Sequence, residues 1–221
     1  MSDDSFIREV NEELRQDQAR ALWDRYGTYV IIVAAVVVLA TGAWVAWEYW
    51  TERRANASGD AFSQALTLAD QGKTDEALAE LARLQEEGYG SYPVLARMRS
   101  ATVLSARGDA EAAVAAFDGV AAENSVPEPI RDMARLRAGL ILVDHGSYAD
   151  VSARVEGLAA DTNPLRHSAR EALGLAAWKE GRPADALVFF EQIVDDQEAP
   201  RNTRERATLM SELIRGSGAS S

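Results

Sequence analysis

Four glycines, Gly72, Gly108, Gly146 and Gly181, recur at spacings of 36, 38 and 35 residues, each followed by a short polar or turn-forming stretch. A period of this length marks a chain built from one helical or mixed supersecondary unit stacked on copies of itself. The stretches read Gly-Lys-Thr-Asp-Glu-Ala, Gly-Asp-Ala-Glu-Ala-Ala, Gly-Ser-Tyr-Ala-Asp-Val and Gly-Arg-Pro-Ala-Asp-Ala, so each glycine closes one helix and the next starts at once. Five residues after the glycines stand small or slender side chains, Ala77, Ala113, Val151 and Ala186; nine after stand the bulkier Leu81, Phe117, Val155 and Phe190. Seven residues before them stand Ala65, Ala101, Gly139 and Gly174, all small enough to let two helices approach closely. Pro93, Pro127, Pro129, Pro164 and Pro200 fall between the units, where a second helix must stop before the next pair begins. The region is rich in Ala, Leu, Glu and Arg and poor in β-branched residues, a helical composition.

Ahead of the repeats, residues 26–47 carry no charge, the one such run of more than twenty residues in the chain. As a helix it spans roughly 30 Å, the thickness of a bilayer's hydrocarbon core. Trp23, Tyr26 and Tyr29 flank one end and Trp44, Trp47, Tyr49 and Trp50 the other, where amphipathic rings favour the membrane boundary. The run is longer than the apolar part of a secretion signal, follows about 25 mostly polar residues, and ends in aromatic residues where a cleavage site would need small ones. A retained anchor is expected. Arg8, Arg15, Arg20 and Arg25 precede the span while Arg53 and Arg54 follow it, which places the short N-terminus in the cytoplasm and the rest across the membrane.

These signals give an all-α chain with five parts. Residues 1–25 form a cytoplasmic amphipathic lead, 26–47 a single transmembrane helix and 48–58 a linker. Residues 59–215 form an α-solenoid of about four helix pairs, closed by a capping helix over Thr203 to Ile214, and 216–221 form a disordered tail. In the lead, Phe6, Ile7, Val10, Leu14, Ala21 and Leu22 keep a helical spacing, suited to the membrane surface or to a solvated juxtamembrane helix.

A helix, a glycine turn, a second helix and a closing proline at this period are close to the tetratricopeptide pattern. The layout resembles the YfgM-like family, ancillary subunits of the SecYEG translocon with one N-terminal membrane helix and tetratricopeptide-like repeats. The resemblance rests on the charged lead, the span ending in Ala46-Trp47-Glu48-Tyr49-Trp50, and repeats that include Ala134-Arg135-Leu136-Arg137-Ala138-Gly139-Leu140. The lead from Asp4 to Arg15 looks like α-proteobacterial members. What the resemblance implies is a bacterial inner-membrane protein with periplasmic repeats, a scaffold that assists newly translocated proteins. The implied partners are SecYEG, a membrane-anchored periplasmic chaperone and nascent secreted clients. An envelope organiser that coordinates cell-division or wall-synthesis proteins is the alternative.

Arg97, Arg135 and Arg170 each lie eleven residues before a turn glycine, and Arg99 and Arg137 follow two residues later, so all five are candidate partner-binding residues. Equivalent places on successive first helices would let them receive acidic side chains or a carboxylate of a client. The plainer expectation is that they pair with acids such as Asp132 and Glu171 and solvate the surface.

Enzymatic chemistry is not expected. There is no cysteine, hence no disulfide or thiol metal ligand, and the two histidines, His145 and His167, read as surface residues 22 apart. No phosphate-cradling loop or nucleophile elbow is present, so no catalytic, cofactor or metal site and no small-molecule substrate is expected. From residue 55 onward 17 basic residues face 26 acidic ones, a balance that argues against nucleic-acid binding.

Overall fold

The computed structural model describes the backbone of residues 3–218 and the side chains of residue 20 and of residues 22–218. The amphipathic pattern expected of the lead, with Arg8 and Arg15, and the tail residues 219–221 lie outside those described side chains. The chain divides into two compact units, Met1–Arg54 and Ala55–Ser221.

Helix α1 runs over Asp3–Asp70. Residues 48–58, read from the sequence as a linker, are helical too, since no proline interrupts them and Ala55 and Ala57 favour helix. In the first unit the apolar side chains from Leu22 to Trp50 are exposed, including Val30, Leu39 and Trp44. This is the one helix among the described residues that is long and apolar enough to cross a membrane. The guanidiniums of Arg25, Arg53 and Arg54 lie 5.7, 4.5 and 4.8 Å from the ring centres of Tyr26, Tyr49 and Trp50. Each pairs a cation with an amphipathic ring at an end of the apolar run, the arrangement suited to a membrane boundary.

Among its described residues the second unit holds helices joined by short turns and loops, and no strand. It continues with α2 (Thr74–Glu87), α3 (Tyr92–Arg107), α4 (Ala110–Ala122), α5 (Glu128–His145), α6 (Tyr148–Val155), α7 (Arg166–Lys179), α8 (Pro183–Asp195) and α9 (Arg201–Gly216). The end of α1 pairs with α2, then α3 with α4, α5 with α6 and α7 with α8, and α9 caps the last pair, packing on α8 and α7. Among the described residues the core falls into four clusters strung along the chain. Each cluster joins neighbouring helices, as expected of a stack in which a unit touches only its neighbours.

The small and bulky offsets find their partners inside each pair. Ala65 and Leu81 share one cluster, Ala101 and Phe117 another. At the third and fourth pairs the contact is closer still, and only glycine fits. A Cβ on Gly139 would overlap Val155, and one on Gly174 would sit 2.9 Å from the Phe190 ring. The bulky side chain of the second helix therefore lies directly against the backbone of the first.

Three of the four turn glycines adopt the left-handed conformation, with φ of 75° at Gly72, 95° at Gly108 and 72° at Gly181. Gly146 departs from this pattern: its φ is −124°, an extended conformation open to other residues. Its turn is held by side chains instead. Ser147 caps α6 through the Asp150 N–H, and Asp150 accepts from the Ser147 N–H in return, a capping box. From the neighbouring α7, Lys179 Nζ donates to the carbonyls of Val143 (2.9 Å), Asp144 (2.6 Å) and Gly146 (3.4 Å), closing the C-terminal end of α5.

Candidate protein-binding face

The arginine series occupies equivalent places, and its first members turn toward helix ends. Arg170 is buried on α7; its Nε donates to the Ala159 carbonyl (3.1 Å), its guanidinium meets Asp161, and Nη1 lies 3.8 Å from Asp196. Arg135 on α5 reaches the Ala121 carbonyl at 3.5 Å and Asp132 at 2.6 Å. Arg135 thus meets a carbonyl in the last turn of α4, where the helix dipole favours a cation, and Arg170 meets one just past the short 3-10 helix Glu156–Leu158 that follows α6. Arg97 takes a different partner, the Glu123 carboxylate just past α4, and that bond, with a further one from Ser125, holds the Glu123 carboxyl below its usual range.

One member of the series escapes the sequence pattern. Arg204 on α9 stands 34 residues after Arg170 and donates through Nη2 to the carbonyls of Asp196 (3.1 Å), Gln197 (2.9 Å) and Ala199 (3.0 Å) beyond α8. The signal available was the spacing itself. No turn glycine marks it, because α9 has no second helix after it.

His167 corrects the expectation of a surface histidine. His145 is exposed at the end of α5, but His167 is only 7% exposed and its Nε2 lies 2.8 Å from Asp196 Oδ2. The same carboxylate accepts from Arg166 Nε at 2.9 Å and from the Glu198 N–H at 2.9 Å. Arg166 above all, then the Glu198 amide and His167, hold the Asp196 carboxyl well below the usual carboxylate range. Nothing near His167 in sequence announces this, because Asp196 lies 29 residues on, just past the end of α8.

The second arginines differ. Arg99 lies 3.6 Å from Asp70, whereas Arg137 is exposed on α5 and donates to Thr102 Oγ1 of α3 at 3.1 Å. The first helices also carry apolar side chains that reach solvent, Leu140 beside Arg137 among them. Leu95 of α3, Leu140 of α5 and Leu209 and Leu213 of α9 are exposed, and Leu175 and Trp178 of α7 are half-buried. Farther along, Arg206 of α9 makes a two-bond fork to Glu171 of α7, at 2.6 and 2.7 Å. The first helices thus expose several leucines near charged side chains, a composition suited to contact with a protein chain. Among the described residues no three His, Asp or Glu side chains converge to hold a metal ion.

No curated protein and no solved structure matches the chain. A family model does: that of the tetratricopeptide repeat-like domain aligns with residues 20–210, from the end of the lead into α9. Stacked helix pairs of this type typically serve as scaffolds for protein–protein interaction. The alignment, the period and the paired helices agree, and the chain belongs to the tetratricopeptide repeat-like family.

Proposed function

We propose that the protein is a scaffold anchored in a bacterial inner membrane by residues 26–47, with its repeats, residues 59–215, in the periplasm. There it binds the SecYEG export channel and membrane-anchored periplasmic chaperones and assists newly translocated chains. The observation that carries this reading is the pairing, on one chain, of a repeat unit whose first helices expose leucines with an apolar helix of membrane length. The excess of arginines before the span supports the orientation. The translocon itself comes from the likeness to the YfgM-like family described above. Of the five candidate arginines, Arg137 is the one this reading assigns to a partner, since the bonds of Arg97, Arg135 and Arg170 go to helix ends and Arg99 lies near Asp70.

Site-specific photocrosslinking in intact cells tests the assignment. A photoreactive side chain at Leu140 or Leu209 is expected to capture SecYEG subunits or nascent secreted chains. Capture of only cell-division or wall-synthesis proteins would overturn the export role in favour of an envelope organiser.

A further inference from the structure

Between α3 and α5 the first-helix face opens into a cleft of about 180 Å³ lined by Thr102, Ser105, Phe117, Arg137, Leu140 and Ile141. Phe117, a core residue 2% exposed, forms its floor, and Leu140, 43% exposed, stands at its mouth. The space suits one leucine- or phenylalanine-sized side chain. Arg137 adds a charge to this apolar cleft. In a unit where 26 acidic residues outnumber 17 basic ones, an arginine that meets no carboxylate is the exception. Among the described residues of this unit the exceptions are Arg131, Arg137 and Arg204. Arg204 is taken up by three carbonyls and Arg131 turns to Asn124, so the guanidinium left for an acid is the one at the cleft, bonded to the Thr102 hydroxyl.

We propose that this cleft receives a leucine or phenylalanine from a helix of a protein partner, with an aspartate or glutamate one turn away that pairs with Arg137. A helical occupant fits the spacing. Arg137 and Leu140 are three apart on α5, neighbours on its surface by about 5–6 Å, and side chains three or four apart on a facing helix match that interval. The proposal rests on the scaffold reading and gives it a recognition rule.

The test uses the full-length chain in lipid nanodiscs and a labelled helical peptide of alanine and glutamine that carries one phenylalanine and, four residues later, one glutamate. The expected result by fluorescence anisotropy is about fivefold tighter binding than that of its glutamine twin, the size of a partly exposed charge pair. Arg137→Gln should erase that preference, and Arg137→Glu should transfer it to a lysine twin, a gain that a misfolded chain cannot produce. Equal binding of the glutamate and glutamine peptides to the unaltered chain, or binding of neither, would overturn the proposal. In that event continued crosslinking of an identified export partner from Leu209 leaves the scaffold reading standing; loss of partner crosslinks from every first helix removes both.

Discussion

The close approach of Gly174 to Phe190 makes opposite signs the expected result of one substitution at two places. Alanine is favoured over glycine inside a helix by roughly 1 kcal/mol, chiefly because the unfolded chain loses freedom. At Gly119, within α4, a new Cβ would meet nothing within 4 Å, so Gly119→Ala should stabilise by about 0.5–1 kcal/mol. At Gly174 the Cβ would lie 2.9, 3.0 and 3.2 Å from three ring atoms of Phe190, a fully buried side chain with nowhere to retreat. Overpacking of this kind costs about 1–3 kcal/mol, which outweighs the helix preference, and Gly174→Ala should destabilise by about 1 kcal/mol net. Urea unfolding of the full chain in mild detergent, followed by circular dichroism, measures both. Shortening the ring supplies the control: in a Phe190→Leu background the cost of Gly174→Ala should fall by about 1 kcal/mol or more, a coupling expected only of residues in contact. Stabilisation by Gly174→Ala equal to that of Gly119→Ala, or the absence of coupling to Phe190, would refute the packing argument.

Asp196 carries a prediction for acid. Its carboxyl is held below its usual range by Arg166, Glu198 and His167, so it contributes stability above its unfolded pKa of about 4 and loses it as the pH falls below that. Urea midpoints between pH 6 and 3 should therefore drop more steeply in the native chain than in Asp196→Asn. Lys179→Met keeps the apolar stem but leaves the Val143, Asp144 and Gly146 carbonyls without their donor. It should cost about 1 kcal/mol, with faster hydrogen exchange at the start of α6 as its local sign.

Much of the fold was legible because helix pairing leaves its trace at fixed offsets. Small residues seven before a turn and bulky ones nine after it turned out to be packing partners, down to glycines that touch Val155 and Phe190. The turn at Gly146 was not legible in the same way. A glycine there looks like the other three, and only the Ser147–Asp150 pair beside it, together with a lysine from the neighbouring helix, explains how an extended residue can close the helix. The candidate site shows the same limit more sharply. Periodicity identified Arg97, Arg135 and Arg170 as equivalent, but equivalence along a helix says nothing of direction, and the bonds of Arg135 and Arg170 run to the helix before them. Arg137 differs from Arg135 by two residues, about 200° around the helix, and that rotation carries it to Thr102 and the cleft. His167 was misplaced for a related reason: its partner is set by how α7 meets the end of α8, a contact across two elements that no local pattern records.

Every assignment of partner depends on which side of the membrane the repeats face. The chain has no cysteine, so a single one placed at Ser220, or separately at Ser2, is the sole target of a maleimide that cannot cross the inner membrane. In cells with a permeabilised outer membrane, an anchored periplasmic scaffold predicts labelling at position 220 and none at position 2. Labelling at position 2 with none at 220 would put the repeats in the cytoplasm and contradict the export-scaffold account.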